Sequence, residues 1–152
     1  MTMQTEKKRR EILPIVIAVT LAVIWGHSLL GREASSEESS FVMRLLAPFL
    51  ELIVGKGNVT EHLVRKLAHY GEFTVLGLEL CLYFAGKAGE RKKRLLLSIS
   101  HGLFAAFMDE TIQIFSGRGP EISDVWIDLA GVLTGSLAVL AVLFLRGNSR
   151  KT

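Results

Sequence analysis

Cysteine is nearly absent. Cys81 is the only one and lies inside an apolar run, which excludes a disulfide framework within the chain; it reads as a small buried or lipid-facing hydrophobe. Room for a soluble domain is lacking too, because 152 residues suit one domain and apolar runs occupy most of them. No small-x-small cleavage site follows the first apolar run, which is longer than the ~7–15 apolar residues of a signal peptide. That run is therefore expected to stay as a helix. No inverted repeat is visible, and four helices are few for alternating access, so a small transporter stands as a minor alternative.

What is present is segregated. Hydrophobic residues make up 49% of the chain beside 22% charged residues, with a mean hydropathy of +0.37. Those figures coexist because long apolar runs alternate with short charged stretches. The net charge is +3, but the cations flank the apolar runs, which points to lipid headgroups and not to nucleic acid.

A spanning helix needs about 20 apolar residues at 1.5 Å each to cross a ~30 Å hydrocarbon core. Runs over residues 12–30, 67–86, 95–115 and 125–145 meet this. The segment 41–54 does not. Its Phe41, Leu45, Phe49 and Leu52 recur at three- and four-residue steps, which predicts an interfacial or re-entrant helix with one face in lipid. The serine- and glutamate-rich stretch before it is expected to be a solvated loop. The expected fold is all-α: a single membrane domain over 1–152, built as a four-helix bundle with one short interfacial helix in the first outer loop.

Twelve of the eighteen Lys and Arg residues lie in three short flanks: Lys7, Lys8, Arg9 and Arg10; Lys87, Arg91, Lys92, Lys93 and Arg94; and Arg146, Arg150 and Lys151. The other six (Arg32, Arg44, Lys56, Arg65, Lys66 and Arg118) are spread over longer stretches. The imbalance places both termini and the middle basic loop in the cytoplasm.

Polar residues inside the runs carry the functional signal. They are His69, Glu72 and Glu79 in the second span, just after Arg65 and Lys66; His101, Asp109, Glu110 and Gln113 in the third; and Asp124 and Asp128 in the fourth. A charge near the bilayer centre costs at least ~2.5–3.5 kcal/mol, so several survive only when they face one another, water or a bound ion. Arg65, His69, Glu72 and Glu79 share one helical face. At 1.5 Å per residue, Glu72 and Asp109 lie ~9 Å from the outer end of their spans and Asp128 ~6 Å. A pocket open to the outside is therefore expected, lined by Arg65, Lys66, His69, Glu72, Asp109, Glu110, Gln113, Arg118, Asp124 and Asp128, with His27 and Ser28 at its rim. Glu79 and His101 both come out ~20 Å deep and are expected to pair. Asp124 suits the N-cap of the last helix, and Arg118 is expected either to bind an anion or to pair with Asp124. Gly131 and Gly135 form a small-xxx-small pattern for close helix contact, with Gly71, Gly77 and Gly102 as further contact points.

Three blocks in order, KLAHYGEF, DETIQIFSGRGPEISD and VWIDLAGVLTG, resemble the VanZ-like family of bacterial membrane proteins. The blocks contain Lys66, His69 and Glu72; Asp109, Glu110, Gln113, Arg118 and Asp124; and Asp128, Gly131 and Gly135. Asp128 departs from the pattern, which often has Asn there. The resemblance implies a place in the bacterial cytoplasmic membrane and a family named for low-level resistance to the glycopeptide antibiotic teicoplanin.

Two classes of function stay open. The first is a non-enzymatic protein that binds an envelope lipid or a lipoglycopeptide by its headgroup. The second is a membrane enzyme using His69, Glu72 and Asp109 for acid–base or metal-assisted chemistry, since no Ser or Cys nucleophile accompanies the acids. No particular metal or cofactor is indicated, and an oligomer is compatible with both.

Overall fold

Each apolar run becomes a helix because the backbone polar groups of a lipid-embedded segment must be satisfied within the segment itself. In the computed structural model the backbone is described for residues 3–30 and 32–148, and side chains for 11–30, 40–53 and 55–146. The side chains of Lys7, Lys8, Arg9, Arg10, Arg32, Arg150 and Lys151, which entered the charge count, lie outside the described residues. Among the described residues five helices follow in order: α1 (Met3–Leu29), α2 (Arg32–Val54), α3 (Glu61–Ala85), α4 (Arg91–Phe115) and α5 (Ile122–Asn148).

Stretches within α1, α4 and α5 (Glu11–Leu29, Arg91–Phe115 and Ile122–Arg146) are long and apolar enough to cross a membrane. At 25 residues α3 matches them in length, but His69, Glu72 and Glu79 interrupt its apolar run, and it buries His69 and Glu79 inside the bundle. The helices overrun their apolar windows at several ends. In α4, for example, the helix begins at Arg91 because Arg and Lys are good helix formers and nothing in RKKR interrupts it.

The second helix differs from expectation at its start. It begins at Arg32, so the Ser/Glu stretch is helical and not a loop. Ala, Glu and Arg support a helix there, and neither Gly nor Pro breaks it before Pro48. Its apolar stripe is as expected: Phe41, Leu45, Phe49 and Leu52 are all exposed. The helix packs on α3, to which Ser40 Oγ also links by donating to Glu61.

The bundle centres on α3, which touches every other helix and packs most extensively on α5. These two helices run in the same direction, since Lys66 meets Asp124 while, further along both, Tyr70 Oη lies 2.9 Å from Thr134 Oγ1. Glycine sets their separation. A Cβ on Gly131 would stand 2.6 Å from Tyr70 O, and one on Gly135 would collide with Thr74 O. Val132 fills the slot left where Gly77 of α3 and Gly102 of α4 lack side chains. Gly71 has no neighbour within 4 Å of an added Cβ and is not a contact point.

Burial is inverted relative to a water-soluble protein. Ile24, Phe73, Leu76 and Val132 form a small apolar core, while Phe49, Leu52, Phe104, Phe115, Trp126 and Leu145 are exposed. Meanwhile Ser28, His69, Asp109, Glu110, Gln113, Asp124 and Asp128 are buried. An apolar exterior around a polar interior is what a lipid solvent selects. The chain is a multi-pass membrane protein.

Candidate functional site

Most of the buried polar groups, Glu79, Ser98 and Ser136 excepted, gather at the end of the bundle that carries the α4–α5 loop. That loop is short because α4 stops sharply. Ser116 N donates to Ile112 O at 3.0 Å, and Gly117 then takes a positive φ of 74°, a conformation that favours glycine. Arg118, Gly119, Pro120 and Glu121 carry the chain straight into α5.

Four helices contribute to the deepest layer. Asp109 of α4 accepts a 2.7 Å hydrogen bond from Ser28 Oγ of α1 at Oδ1, and a 3.0 Å bond from Gln113 Nε2 at Oδ2. His69 of α3 places Nδ1 3.6 Å from Asp109 Oδ2 and 3.6 Å from Asp128 Oδ1 of α5. Those separations exceed hydrogen-bond length. His69 is 6% exposed, and Asp109 and Asp128 are fully buried. Neither oxygen of Asp128 nor His69 Nδ1 has a hydrogen-bond partner. One donor atom from each of the three residues lies within 4.8 Å of the others, a separation at which the trio could hold a metal ion.

Above this layer, Gln113 bonds one turn back along α4, reaching Glu110 Oε1 as well as Asp109, each at 3.0 Å. Glu110 Oε2 accepts from the backbone N–H of Glu121 at 2.9 Å, which secures the start of α5. The adjacent acids Asp109 and Glu110 thus do different things, as their directions on a helix require. Lys66 Nζ sits 3.0 Å from Asp124 Oδ1 and 3.2 Å from Glu121 Oε2. The Lys66 ammonium holds the Glu121 carboxyl below its usual range.

A cleft of about 270 Å³ opens over these groups, lined by Arg65, Gln113, Arg118, Gly119, Glu121 and Asp124. Gln113 joins it to the layer beneath, since the same side chain lines the cleft and donates to Asp109.

Several pairings differ from those expected. Glu72 does not join His69; its Oε1 lies 2.6 Å from His27 Nδ1, tying α3 to the end of α1. Arg118 Nη1 donates to the His27 carbonyl at 2.8 Å, a contact beyond those expected of it, and Asp124 Oδ1 also lies 3.0 Å from Lys66 Nζ. Asp124 is not an N-cap but lies in the first turn of α5, which starts two residues earlier at Ile122; an acid there still complements the helix dipole. Glu79 and His101 do not pair. Glu79 turns to α1 and accepts from Thr20 Oγ1 at 2.9 Å, whereas His101 Nδ1 donates to Leu97 O of its own helix and its ring packs tilted against Phe84, with centroids 5.0 Å apart. Equal depth did not imply a shared direction.

Arg65 lines the cleft and has His62 Nδ1 3.2 Å from its Nη2. Glu121 and Gly119 are cleft residues that the sequence did not single out. For Glu121 a signal existed: an acid just ahead of a helix, in a loop too short to stray far from Lys66.

No curated protein and no solved structure matches the chain. The family model VanZ/LLP1 matches residues 13–145, which takes in α2, α3 and α4, most of α1 and α5, and every residue of the cleft and the layer beneath it. With that match over most of its length, the chain belongs to the VanZ/LLP1 family.

Proposed function

We propose that the chain binds the anionic headgroup of a membrane-anchored amphiphile at the outer leaflet of the bacterial cytoplasmic membrane. The observation that carries this is the cleft between Arg65 and Arg118 at the end of a bundle whose exterior is apolar. Guanidinium groups match phosphate and carboxylate in planar, two-pronged fashion. A volume of about 270 Å³ falls just below the roughly 300–1,000 Å³ of small-molecule pockets, so it suits a headgroup and not a whole lipid. The acyl part would stay in the bilayer against the exposed side chains of α2. Envelope lipids and lipoglycopeptides share this chemistry. The cation-rich flanks support cytoplasmic termini, which turns the cleft outward.

Mass spectrometry of lipids retained through gentle purification tests the proposal. One anionic headgroup class should be enriched over the bulk membrane in the wild type and lost on Arg65→Gln with Arg118→Gln. A lipid profile equal to the bulk membrane in both proteins rejects it.

A second function, metal-assisted or acid–base chemistry on that headgroup, is favoured by the grouping of His69, Asp109 and Asp128 beneath the cleft. In that case Asp128 takes the place first expected for Glu72, which is engaged with His27. Release of a water-soluble headgroup from the retained lipid by wild type, and not by Asp109→Asn, is the expected result. Equal release by both proteins rejects it.

A further inference from the structure

We propose that His69, Asp109 and Asp128 form a binding site for one divalent cation of the zinc or manganese class. The site draws one side chain from each of three helices, α3, α4 and α5, and lies directly under Gln113 at the floor of the cleft.

Three observations converge. The first is distance. With bonds of ~2.0–2.1 Å, the donor atoms of a tetrahedral ion stand about 3.3–3.4 Å apart. His69 Nδ1 is 3.6 Å from an oxygen of each aspartate, within a few tenths of an ångström of that spacing, and the three donor atoms all lie within 4.8 Å of one another. An imidazolium bonded directly to either carboxylate would sit at about 2.7–2.9 Å instead.

The second is satisfaction. Asp128 is fully buried with both oxygens lacking a hydrogen-bond partner, and Nδ1 of His69 lacks one too. Three orphaned atoms at one point are costly unless something binds there, since each unmade hydrogen bond costs ~1–3 kcal/mol and more for charged groups. Two carboxylates and a neutral imidazole carry two negative charges, which a divalent ion cancels.

The third is support. Ser28 Oγ donates to Asp109 Oδ1 at 2.7 Å and Gln113 Nε2 to Oδ2 at 3.0 Å. Bonds of this kind aim a ligating carboxylate. The donor set selects the ion: an imidazole among carboxylates favours zinc or manganese over magnesium and calcium, which take oxygen. Three protein ligands also leave a coordination position for water or for a group reaching down from the cleft.

The test is metal content and metal-dependent melting of the intact protein in detergent. Wild type purified without chelator should contain about one zinc or manganese ion per chain. After chelator treatment, its melting temperature should rise on adding Zn²⁺ or Mn²⁺, and Asp128→Asn should show neither the ion nor the rise. Ser28→Ala should weaken metal affinity by about 10–100-fold. Equal metal response in wild type and Asp128→Asn overturns the proposal. Should Asp128→Asn not fold, Co²⁺ added to the stripped wild type decides alone: the intense visible absorption of a four- or five-coordinate ion supports the site, and the faint spectrum of the aquo ion overturns it.

Discussion

Ser28 and Asp109, one near the end of α1 and the other in α4, meet in a 2.7 Å hydrogen bond with no exposed surface on either residue. The contact anchors the first helix to the polar layer, next to the His27–Glu72 pair and the Arg118 bond to the His27 carbonyl. Ser28→Ala leaves an oxygen of a buried carboxylate without its donor and should cost about 1–3 kcal/mol. Ser100→Ala is the control. Its hydroxyl is exposed and bonds only Leu96 O within its own helix, so the change should fall within about 0.5 kcal/mol of neutral. Denaturant unfolding in mixed micelles compares the two.

The α3–α5 crossing makes an opposite pair of predictions for glycine. Gly135→Ala drives a methyl group into the backbone at Thr74 and Leu78, which cannot move without separating the helices. Destabilisation of about 1–3 kcal/mol or more is expected. Gly71→Ala meets open space and should stabilise by up to about 1 kcal/mol through helix propensity. Equal effects at the two positions, read from thermal melting, contradict the packing described.

These residues also show what was legible beforehand. The four-residue spacing of Gly131 and Gly135 announces a close contact, because periodicity reports which residues share a helix face. Counting 1.5 Å per residue placed Asp109, Asp128 and the neighbourhood of His69 at one end of the bundle. Neither calculation says which neighbouring helix a face meets. Glu79 and His101 share a depth, yet α3 turns Glu79 toward Thr20 of α1. His69 and Glu72 lie one turn apart, yet α1 takes Glu72 and α5 lies beside His69. The order of helices around the bundle is a property of packing, and packing decides the pairs. Helix ends were the other weak point. Asp124 was expected at the boundary and lies two residues inside it, within the usual uncertainty of a helix terminus.

The acid limb of stability should report the link between α3 and the α4–α5 loop. The Lys66 ammonium holds the Glu121 carboxyl below its ordinary value of 4.5. A depressed folded value means the pair stabilises the protein above about pH 4.5 and that the contribution is lost as pH falls through the folded value. Glu121 is nearly half exposed, so the effect is small, about 0.2–1 kcal/mol. Glu121→Gln should therefore flatten the melting temperature between pH 5 and pH 3, roughly the interval over which an ion-paired carboxylate titrates. An unchanged acid limb contradicts the link.

Orientation is testable with carboxy-terminal fusions. The cations at 87–94 and near the end of the chain predict a fluorescent cytoplasmic reporter and an inactive periplasmic phosphatase at the C-terminus. Active phosphatase there would turn the Arg65–Arg118 cleft to the cytoplasm and remove the outer-leaflet headgroup proposal.

The central claim is that His69 of α3 and Asp128 of α5 face one another inside the bundle, and a double-mutant cycle tests it most directly. His69→Gln, Asp128→Asn and the double variant would be unfolded under identical conditions in micelles. The account predicts a coupling of about 0.5–3 kcal/mol. Additivity within about 0.3–0.5 kcal/mol would mean that the two side chains do not share an environment and would contradict it.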